Sequence, residues 1–165
     1  MIYEVRTYTL RTGAVAEFED RFAKRKPLRE KHSQLGAFWH TDFGPLNQVV
    51  HVWPYEDLKH RTAVRDAMAK DKELQQLPGG RDLIVEQQAD IMIPAPFMQP
   101  LVQQAASELG GLNKFVHVWP YNDSNERTRI REESRKGGQW PPQSGVRPAR
   151  QETKMLIPAA FSPLQ

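Results

Sequence analysis

A six-residue string, VHVWPY, occurs twice in this chain, at residues 50–55 and 116–121. When Asn47 is aligned with Asn113, the segment NQVVHVWPYEDLKHRTAVR matches NKFVHVWPYNDSNERTRIR. After a further shift of two residues, EQQADIMIPAPF at 86–97 matches RQETKMLIPAAF at 150–161. This repeat constrains the fold before any other feature, because each copy has to form the same supersecondary unit.

The first copy is preceded by two elements that the second copy lacks. Ile2–Leu10 alternates between apolar and polar residues, which predicts a strand. Val15, Phe18 and Phe22 follow at helical spacing, so an amphipathic helix is expected next. Pro27 is expected to kink or break the last part of that helix.

The remaining elements of the first copy are two strands, a helix and a last strand. They are predicted at Ala37–Phe43, Gln48–Trp53, Glu56–Lys72 and Val85–Ile93. The order β-α-β-β-α-β is the ferredoxin-like motif, in which two helices cover one face of a four-stranded sheet. We therefore predict an α+β fold with a complete ferredoxin-like unit at 1–101. A partial second unit at 102–165 lacks the first strand and helix.

The residues also resemble a known family. The opening YEVRTYTLRTG, the middle GPLNQVVHVWPYEDLKHRTAVR and the close IMIPAPF are similar to the NIPSNAP family, and SPL at 162–164 resembles that family's ending. The resemblance implies a dimeric α/β-barrel, in which two ferredoxin-like units press their open sheet faces together. It also implies mitochondrial and vesicle-associated roles for animal members, and no established reaction for bacterial ones.

The second copy lacks a central strand, since the ferredoxin-like sheet order is 4-1-3-2. Two solutions are open. The strands near 115–119 and 151–157 could pair directly as a parallel βαβ unit. Alternatively, a strand from another chain fills the gap, because an unfilled gap exposes ladder donors and acceptors. We expect a homo-oligomer, a dimer or higher, or a partly disordered second unit.

The strand at 48–53 divides its side chains between two faces. Val50 and Val52 share one face, which we place against the helices. Val49, His51 and Trp53 share the other face, which we place in the space between two units. The residues predicted to line this pocket or interface are Glu4, Arg6, Tyr8, His51, Trp53, His117 and Trp119, with His40 beside them.

This face has two interpretations. In a pocket, His51 or His40 is the candidate general base, since histidine titrates near neutral pH, and Arg6 holds a carboxylate or an oxyanion. In an interface, Trp and Tyr bury a large area while keeping a polar group in contact with water. We favour the interface, because most buried polar groups are simply paired by hydrogen bonds.

Both copies carry an Asp followed four and eight residues later by Arg. Asp57, Arg61 and Arg65 lie on one stripe of the predicted helix. The two arginines bind an anion, or else Asp57 complements the helix dipole and pairs with Arg61. Retention of the pattern in the second copy favours structural ion pairs. The counterparts there are Asp123, Arg127 and Arg131.

Composition narrows the function classes. The chain has no cysteine, which excludes thiolate catalysis and cysteine-ligated metal sites. Its five histidines lack the spacing of zinc enzymes, so we predict neither a metal nor a cofactor. The 23 Lys and Arg against 20 Asp and Glu are intermixed, which does not favour nucleic acid as a partner. No apolar run is long enough to span a membrane, and we expect a cytoplasmic protein, with mitochondrial association if eukaryotic.

Three functions are carried forward in order of preference. The first is a non-catalytic interaction or scaffold module. The second is a small-molecule enzyme of the dimeric α/β-barrel type, such as a cofactor-free oxygenase or isomerase, which rests on fold analogy. The third is a ligand or haem carrier with a histidine ligand. A cavity of roughly 300 Å3 or more would favour the last two.

Overall fold

The computed structural model of the chain describes residues 1–94, 104–109, 114–138 and 150–164, with only the main chain of 104–109. The chain forms two compact units. The first comprises Met1–His117 together with Lys154–Gln165, and the second comprises Val118–Thr153. The predicted domain boundary between residues 101 and 102 lies outside the described residues.

One seven-stranded sheet forms the first unit, in the order β6-β5-β4-β1-β3-β2-β7. The central order β4-β1-β3-β2 is ferredoxin-like, and the α+β fold class is confirmed. The elements are β1 Ile2–Leu10, α1 Val15–Arg29, β2 Ala37–Phe43, β3 Gln48–Tyr55, α2 Leu58–Lys70, α3 Lys72–Gln76, a 3-10 turn Arg81–Leu83, β4 Ile84–Pro94, β5 Gln104–Leu109, β6 Phe115–His117 and β7 Met155–Pro158.

The helices pack against one face of the sheet, which we call the helix-side face. Phe18 of α1 and Val64 of α2 belong to the same buried cluster as Tyr8, Val49 and Trp53. The strand registers agree, because Glu4 lies opposite Trp53 and Tyr8 lies opposite Val49. Burial of this apolar face against the helices is the main stabilising contribution that the fold offers.

The opposite face of the sheet is also largely buried. Tyr3, Val52, Trp39 and Met92 alternate with the helix-side residues and are each at most 8% exposed. A strand buried on both faces reads as a continuous apolar run, as β3 does at Val49–Trp53. Its two faces therefore cannot be assigned from hydrophobicity alone.

The second unit contains α4, Ser124–Lys136. Its N-terminus is capped by Asp123, whose side chain accepts a hydrogen bond from the backbone N–H of Glu126 at 2.8 Å. Asp57 caps α2 in the same way, accepting from the N–H of His60 at 2.7 Å. The side chain of a capping aspartate satisfies a donor that the helix leaves unpaired.

One of the two solutions left open for the second copy is wrong. The strands near 115–119 and 151–157 do not pair with each other, because β6 and β7 lie at opposite edges of the sheet. Pro27 lies in the last turn of α1, which ends two residues later at Arg29. The predicted kink at this proline stays a prediction.

Candidate functional site

The predicted pocket residues of β1 and β3 share one face, and the helices cover it. These residues are Glu4, Arg6, Tyr8, His51 and Trp53. Phe22 of α1 lies 5.4 Å from His51 and 6.2 Å from Trp53 between ring centroids. Both residues are 3% exposed. The prediction that this face looks into a space between two units is therefore wrong, and so is the placement of Val50 and Val52 against the helices. The aromatic side chains of α1 fit against the larger rings rather than against the valines.

The imidazole of His51 is enclosed by aromatic rings. Tyr8 meets it edge-on at 4.9 Å, and Phe38 is stacked parallel to it at 5.9 Å. Phe22 and Trp53 complete the enclosure. Such an environment gives the imidazole apolar contacts with four rings, and His51 is only 3% exposed.

One hydrogen bond fixes the tautomer of His51. The indole Nε1 of Trp53 donates to Nδ1 of His51 at 2.7 Å. An indole N–H is only a donor, so Nδ1 is the acceptor and the neutral ring carries its proton on Nε2. Within the described part of the chain, Nε2 is buried and has no hydrogen-bond partner. Protonation of Nδ1 would break the bond to Trp53, which makes His51 a packing residue in its neutral form.

Burial and nearby charges also favour the neutral form of His51. Burial, followed by the nearby cations Arg6 and Arg29, lowers the pKa of His51 from 6.5 to about 3. A general base functions best with a pKa near the working pH. At neutral pH His51 is uncharged and a weak base, so it does not suit the catalytic role predicted for it.

Arg29 closes the site above Trp53. Its guanidinium carbon lies 3.9 Å from the indole centroid, and its nitrogens donate to the Tyr55 hydroxyl at 3.1 Å and to Ser33 Oγ at 2.7 Å. Burial lowers the pKa of Arg29 from its ordinary value. A cation stacked on an indole is attracted to the ring face, so Arg29 ties the end of α1 to β3.

Glu4 is a carboxylate of this face that is almost fully enclosed, at 1% exposure. Arg61 donates to it from α2 at 2.5 Å, and Arg65 lies 3.9 Å away. The predicted pair between Asp57 and Arg61 is wrong, because Asp57 caps the helix while Arg61 points to the sheet. The hydrogen bond to Glu4 raises the pKa of Arg61. These two arginines are thus used to neutralise a buried charge.

Arg6 is only partly enclosed. Its guanidinium lies 5.2 Å from the ring centroid of Tyr8 and donates to Gln87 at 3.4 Å. Burial raises the pKa of Tyr8, so Tyr8 stays neutral. The five predicted residues of β1 and β3 and their neighbours form a packed layer, in which Arg61 pairs with the buried carboxylate of Glu4.

The second copy places the same residue types differently. His117 ends β6 and is exposed, and Trp119 in the second unit is 54% exposed. Arg127 and Arg131 lie half-buried on α4. The predicted pocket or interface roles of these residues stay predictions.

His40 lies apart from His51, near the edge of the helix-side face. Its Nδ1 is 2.8 Å from the Glu19 carboxylate of α1. Glu19 also lines an open groove of about 380 Å3 with Asp20, Ala23, Ala160 and Phe161. The groove has an acidic side and an apolar side, and it is open to solvent.

Two further features follow from the described residues. No cluster of three or more His, Asp or Glu there is arranged to hold a metal ion. None of the helices in the described ranges combines the length and apolarity needed to cross a membrane.

The sequence reasoning missed the residues that cover the site. Phe22, Phe38 and Arg29 seal His51 and Trp53. The available signal was in α1, where Phe18 and Phe22 are four residues apart and share one helix face. An aromatic helix face is the natural complement of an aromatic strand face, which would have placed His51 under α1.

Comparison with known proteins identifies relatives along nearly the whole chain. The NIPSNAP family model matches residues 3–99 and again residues 100–163. Protein NipSnap homolog 3A of Homo sapiens is 40% identical over 100 residues, which cover 59% of this chain and 40% of that protein. Protein NipSnap homolog 3B of Mus musculus is 45% identical over 75 residues, 45% of this chain and 30% of that protein. The matched part of the chain thus spans less than half the length of these curated relatives.

Solved structures of NIPSNAP proteins are also similar to this chain. A NIPSNAP family protein with unknown function from Agrobacterium tumefaciens is 32% identical with a TM-score of 0.58, covering 62% of this chain and 94% of that chain. An uncharacterized NIPSNAP-like domain protein from Burkholderia xenovorans is 31% identical with a TM-score of 0.56, covering 74% of this chain and 97% of that chain.

The burial of His51 predicts a pH dependence of stability. Because its pKa is about 3 in the folded chain and 6.5 ordinarily, the unfolded chain binds the extra proton between these values. The stabilising contribution of neutral His51 is complete above pH 6.5 and is lost as the pH falls towards 3. The free energy of unfolding should fall by at most about 1.4 kcal/mol per pH unit from this group.

Urea denaturation at pH 7, 6, 5 and 4 measures this dependence. In His51→Gln, the slope between pH 6 and 4 should be shallower than in the wild type, whatever the absolute stability of the variant. The matched control is His40→Gln, which removes a half-buried histidine outside the aromatic enclosure. An unchanged slope in His51→Gln would contradict a neutral, buried imidazole.

Removal of the Glu4 charge should destabilise the chain. In Glu4→Gln the guanidinium of Arg61 loses its partner on β1. Loss of one partner of a fully buried pair costs about 3–5 kcal/mol, and we expect about 2–3 kcal/mol here because Arg61 reaches solvent. Glu73→Gln removes an exposed pair with Lys31 and should cost less than about 1 kcal/mol. Equal losses in the two variants, measured by denaturant unfolding, would refute the role given to Glu4.

Proposed function

The chain belongs to the NIPSNAP family, and from this premise we propose that it is a non-catalytic interaction module that assembles with other chains through its β-sheet. The observation that carries the proposal is the sealing of the His51–Trp53 layer. His51 and Trp53 are used in packing, with His51 uncharged and closed off from solvent. No reaction is then required to account for the His-Trp pair.

Exposed apolar side chains on strands support association through the sheet. Val85 on β4 is 69% exposed and Phe115 on β6 is 72% exposed. Phe43 on β2 and Ile157 on β7 are exposed as well. Large apolar side chains at the ends and edges of strands favour contact with another protein, because the contact removes them from water and pairs open backbone groups.

We expect light scattering to find no stable monomer at micromolar concentration. Val85→Lys places a charge on the part of β4 that precedes its pairing with β5, and it should weaken self-association at least about tenfold. Leu58→Lys is the matched control, since Leu58 is an exposed apolar residue at the start of a helix. A folded monomer that persists at these concentrations, or equal effects of both substitutions, would contradict the proposal.

A second candidate is the small-molecule enzyme, and the groove beside His40 favours it. The groove volume of about 380 Å3 lies at the lower end of the roughly 300–1,000 Å3 found for ligand sites. The Glu19 carboxylate on its wall pairs with His40, an arrangement that suits acid–base chemistry on a cationic or amine substrate. A haem carrier is less well supported, because His51 lies beneath the helices.

Benzylamine is a suitable probe for the groove, since it combines a cation with an apolar ring. Binding followed by NMR of the His40 ring, with Kd below about 1 mM and loss of binding in Glu19→Gln, would favour the enzyme. Asp82→Gln serves as the control. It removes a carboxylate that pairs with Arg21 of α1 but does not line the groove. Absence of binding would leave the interaction module as the proposed function.

A further inference from the structure

The two edges of the seven-stranded sheet are β6 and β7. Each is paired on one side among the described residues, β6 with β5 and β7 with β2. An edge strand presents unpaired N–H and C=O groups that can accept another strand. A comparison of the strand registers in the two copies shows which kind of strand would fit beside these edges.

The second hairpin repeats the first, residue for residue. β5 pairs with β6 through Gln104↔His117, Ala105↔Val116 and Ala106↔Phe115. Subtracting 66 from each number gives 38↔51, 39↔50 and 40↔49, which are the pairs that join β2 to β3. β6 is thus the counterpart of β3.

The pairings between the copies are also reciprocal. β4 joins β5 through Ile93↔Ala106 and Pro94↔Ala105. β2 joins β7 through His40↔Ile157 and Trp39↔Pro158. Adding 64 to the residue numbers of β4 gives those of β7, and subtracting 66 from the residue numbers of β5 gives those of β2. These two changes convert the β4–β5 pairs into the β7–β2 pairs.

Both pairings have an irregularity at the same place, between Ile91 and Met92 in one and between Thr41 and Phe43 in the other. β7 is therefore the counterpart of β4. In the first copy, β3 and β4 are the two neighbours of β1, which is antiparallel to both.

We infer that the described strands are seven members of a closed ring of eight, and that β6 and β7 together bind an extended segment of β1 type from another polypeptide. This inference rests on the proposed function, because it names the kind of partner that an interaction module would bind. The bound strand runs antiparallel to both edges. Its residue equivalent to Tyr8 lies opposite Phe115, and its residue equivalent to Glu4 lies opposite Met155, by the registers of β1.

Exposure supports an unfilled position beside β6. Val49 is fully buried and His51 is 3% exposed, whereas their counterparts Phe115 and His117 are exposed, Phe115 by 72%. In the first copy Tyr8 of β1 contacts His51 directly. The difference between the two copies therefore matches the absence of a β1 equivalent at β6.

Burial of the opposite face supports curvature towards a ring. Tyr3, Val52 and Met92 are each at most 3% exposed, although the helices pack on the other side. A sheet that curls upon itself buries its concave face in this way. Curvature brings the outer strands of a sheet towards each other, as one inserted strand requires.

A separate polypeptide is the occupant, rather than β1 of a second copy. β1 is paired on both sides along most of its length. It also contributes Glu4, Tyr8 and Leu10 to the buried interior. Donating this strand to another molecule would expose these side chains and unpair Arg61, which opposes exchange between identical chains.

The test uses the full chain and a fluorescent peptide with the sequence of residues 1–11, MIYEVRTYTLR. Binding is followed by anisotropy, and amide hydrogen exchange maps the protected strands. We expect saturable one-to-one binding with Kd below about 100 μM. Peptides with Val5→Pro and Thr7→Pro lack two backbone donors and should bind at least about tenfold more weakly.

A matched pair of chain variants locates the site. Phe115→Ala should weaken peptide binding about tenfold, because it removes the side chain opposite the peptide's Tyr8. Leu58→Ala truncates an exposed apolar residue at the start of α2, away from β6 and β7, and should leave the affinity unchanged. Exchange protection should rise in both β6 and β7. The Phe115 comparison also distinguishes this site from displacement of the chain's own β1.

Three outcomes would overturn the inference. The first is no peptide binding at about 100 μM, and the second is equal affinity of the two chain variants for the peptide. The third is that self-association of the chain protects β6 and β7 from exchange and the peptide does not displace it. The last outcome would identify a second copy as the occupant. If the chain self-associates but does not bind the peptide, the strand site is refuted and the proposed function still holds. A chain that catalyses a reaction yet binds the peptide overturns the proposed function and leaves the strand site standing.

Discussion

The packing of α1 on β3 is the interaction on which the rest of the first unit depends. Phe22 touches the rings of His51, Trp53 and Phe38, and Arg29 covers Trp53 at the end of the same helix. Aromatic side chains bury large areas, and their contacts are directional. This one helix therefore fixes which face of the sheet is covered, and it determines that the imidazole inside is neutral.

The second constraint is the enclosed carboxylate of Glu4. A charge without a partner in this position would be very costly, so α2 must present Arg61 to β1. Asp57 is free for a different task because Arg61 points inward, and it begins the helix by capping it. The Asp-Arg-Arg pattern thus encodes a helix start and a link between helix and sheet, rather than an anion-binding site.

Much of the fold could be predicted from the sequence, because element order depends on local patterns. Alternation in Ile2–Leu10 and helical spacing in Val15–Phe22 are properties of single segments. The covered face of β3 is different, since Val49, Val50, Val52 and Trp53 are all buried. With apolar residues on both faces, only the complementary surface of α1 decides the orientation. That decision is tertiary, which is why the alternation of β3 grouped Val49, His51 and Trp53 on one face but did not show that the helices cover that face.

The two copies of the hairpin show which properties come from the repeated sequence and which come from the elements packed around it. The string that forms β3 and its copy around β6 share the same strand register with the preceding strand. In the first copy the histidine is enclosed, its Nδ1 accepts from the indole, and its pKa falls. In the second copy the histidine and tryptophan are exposed. Since the residues are the same, enclosure and the resulting proton affinity must come from β1 and α1. The His-Trp pair is therefore enclosed in the first copy, where β1 and α1 cover it, and exposed in the second copy.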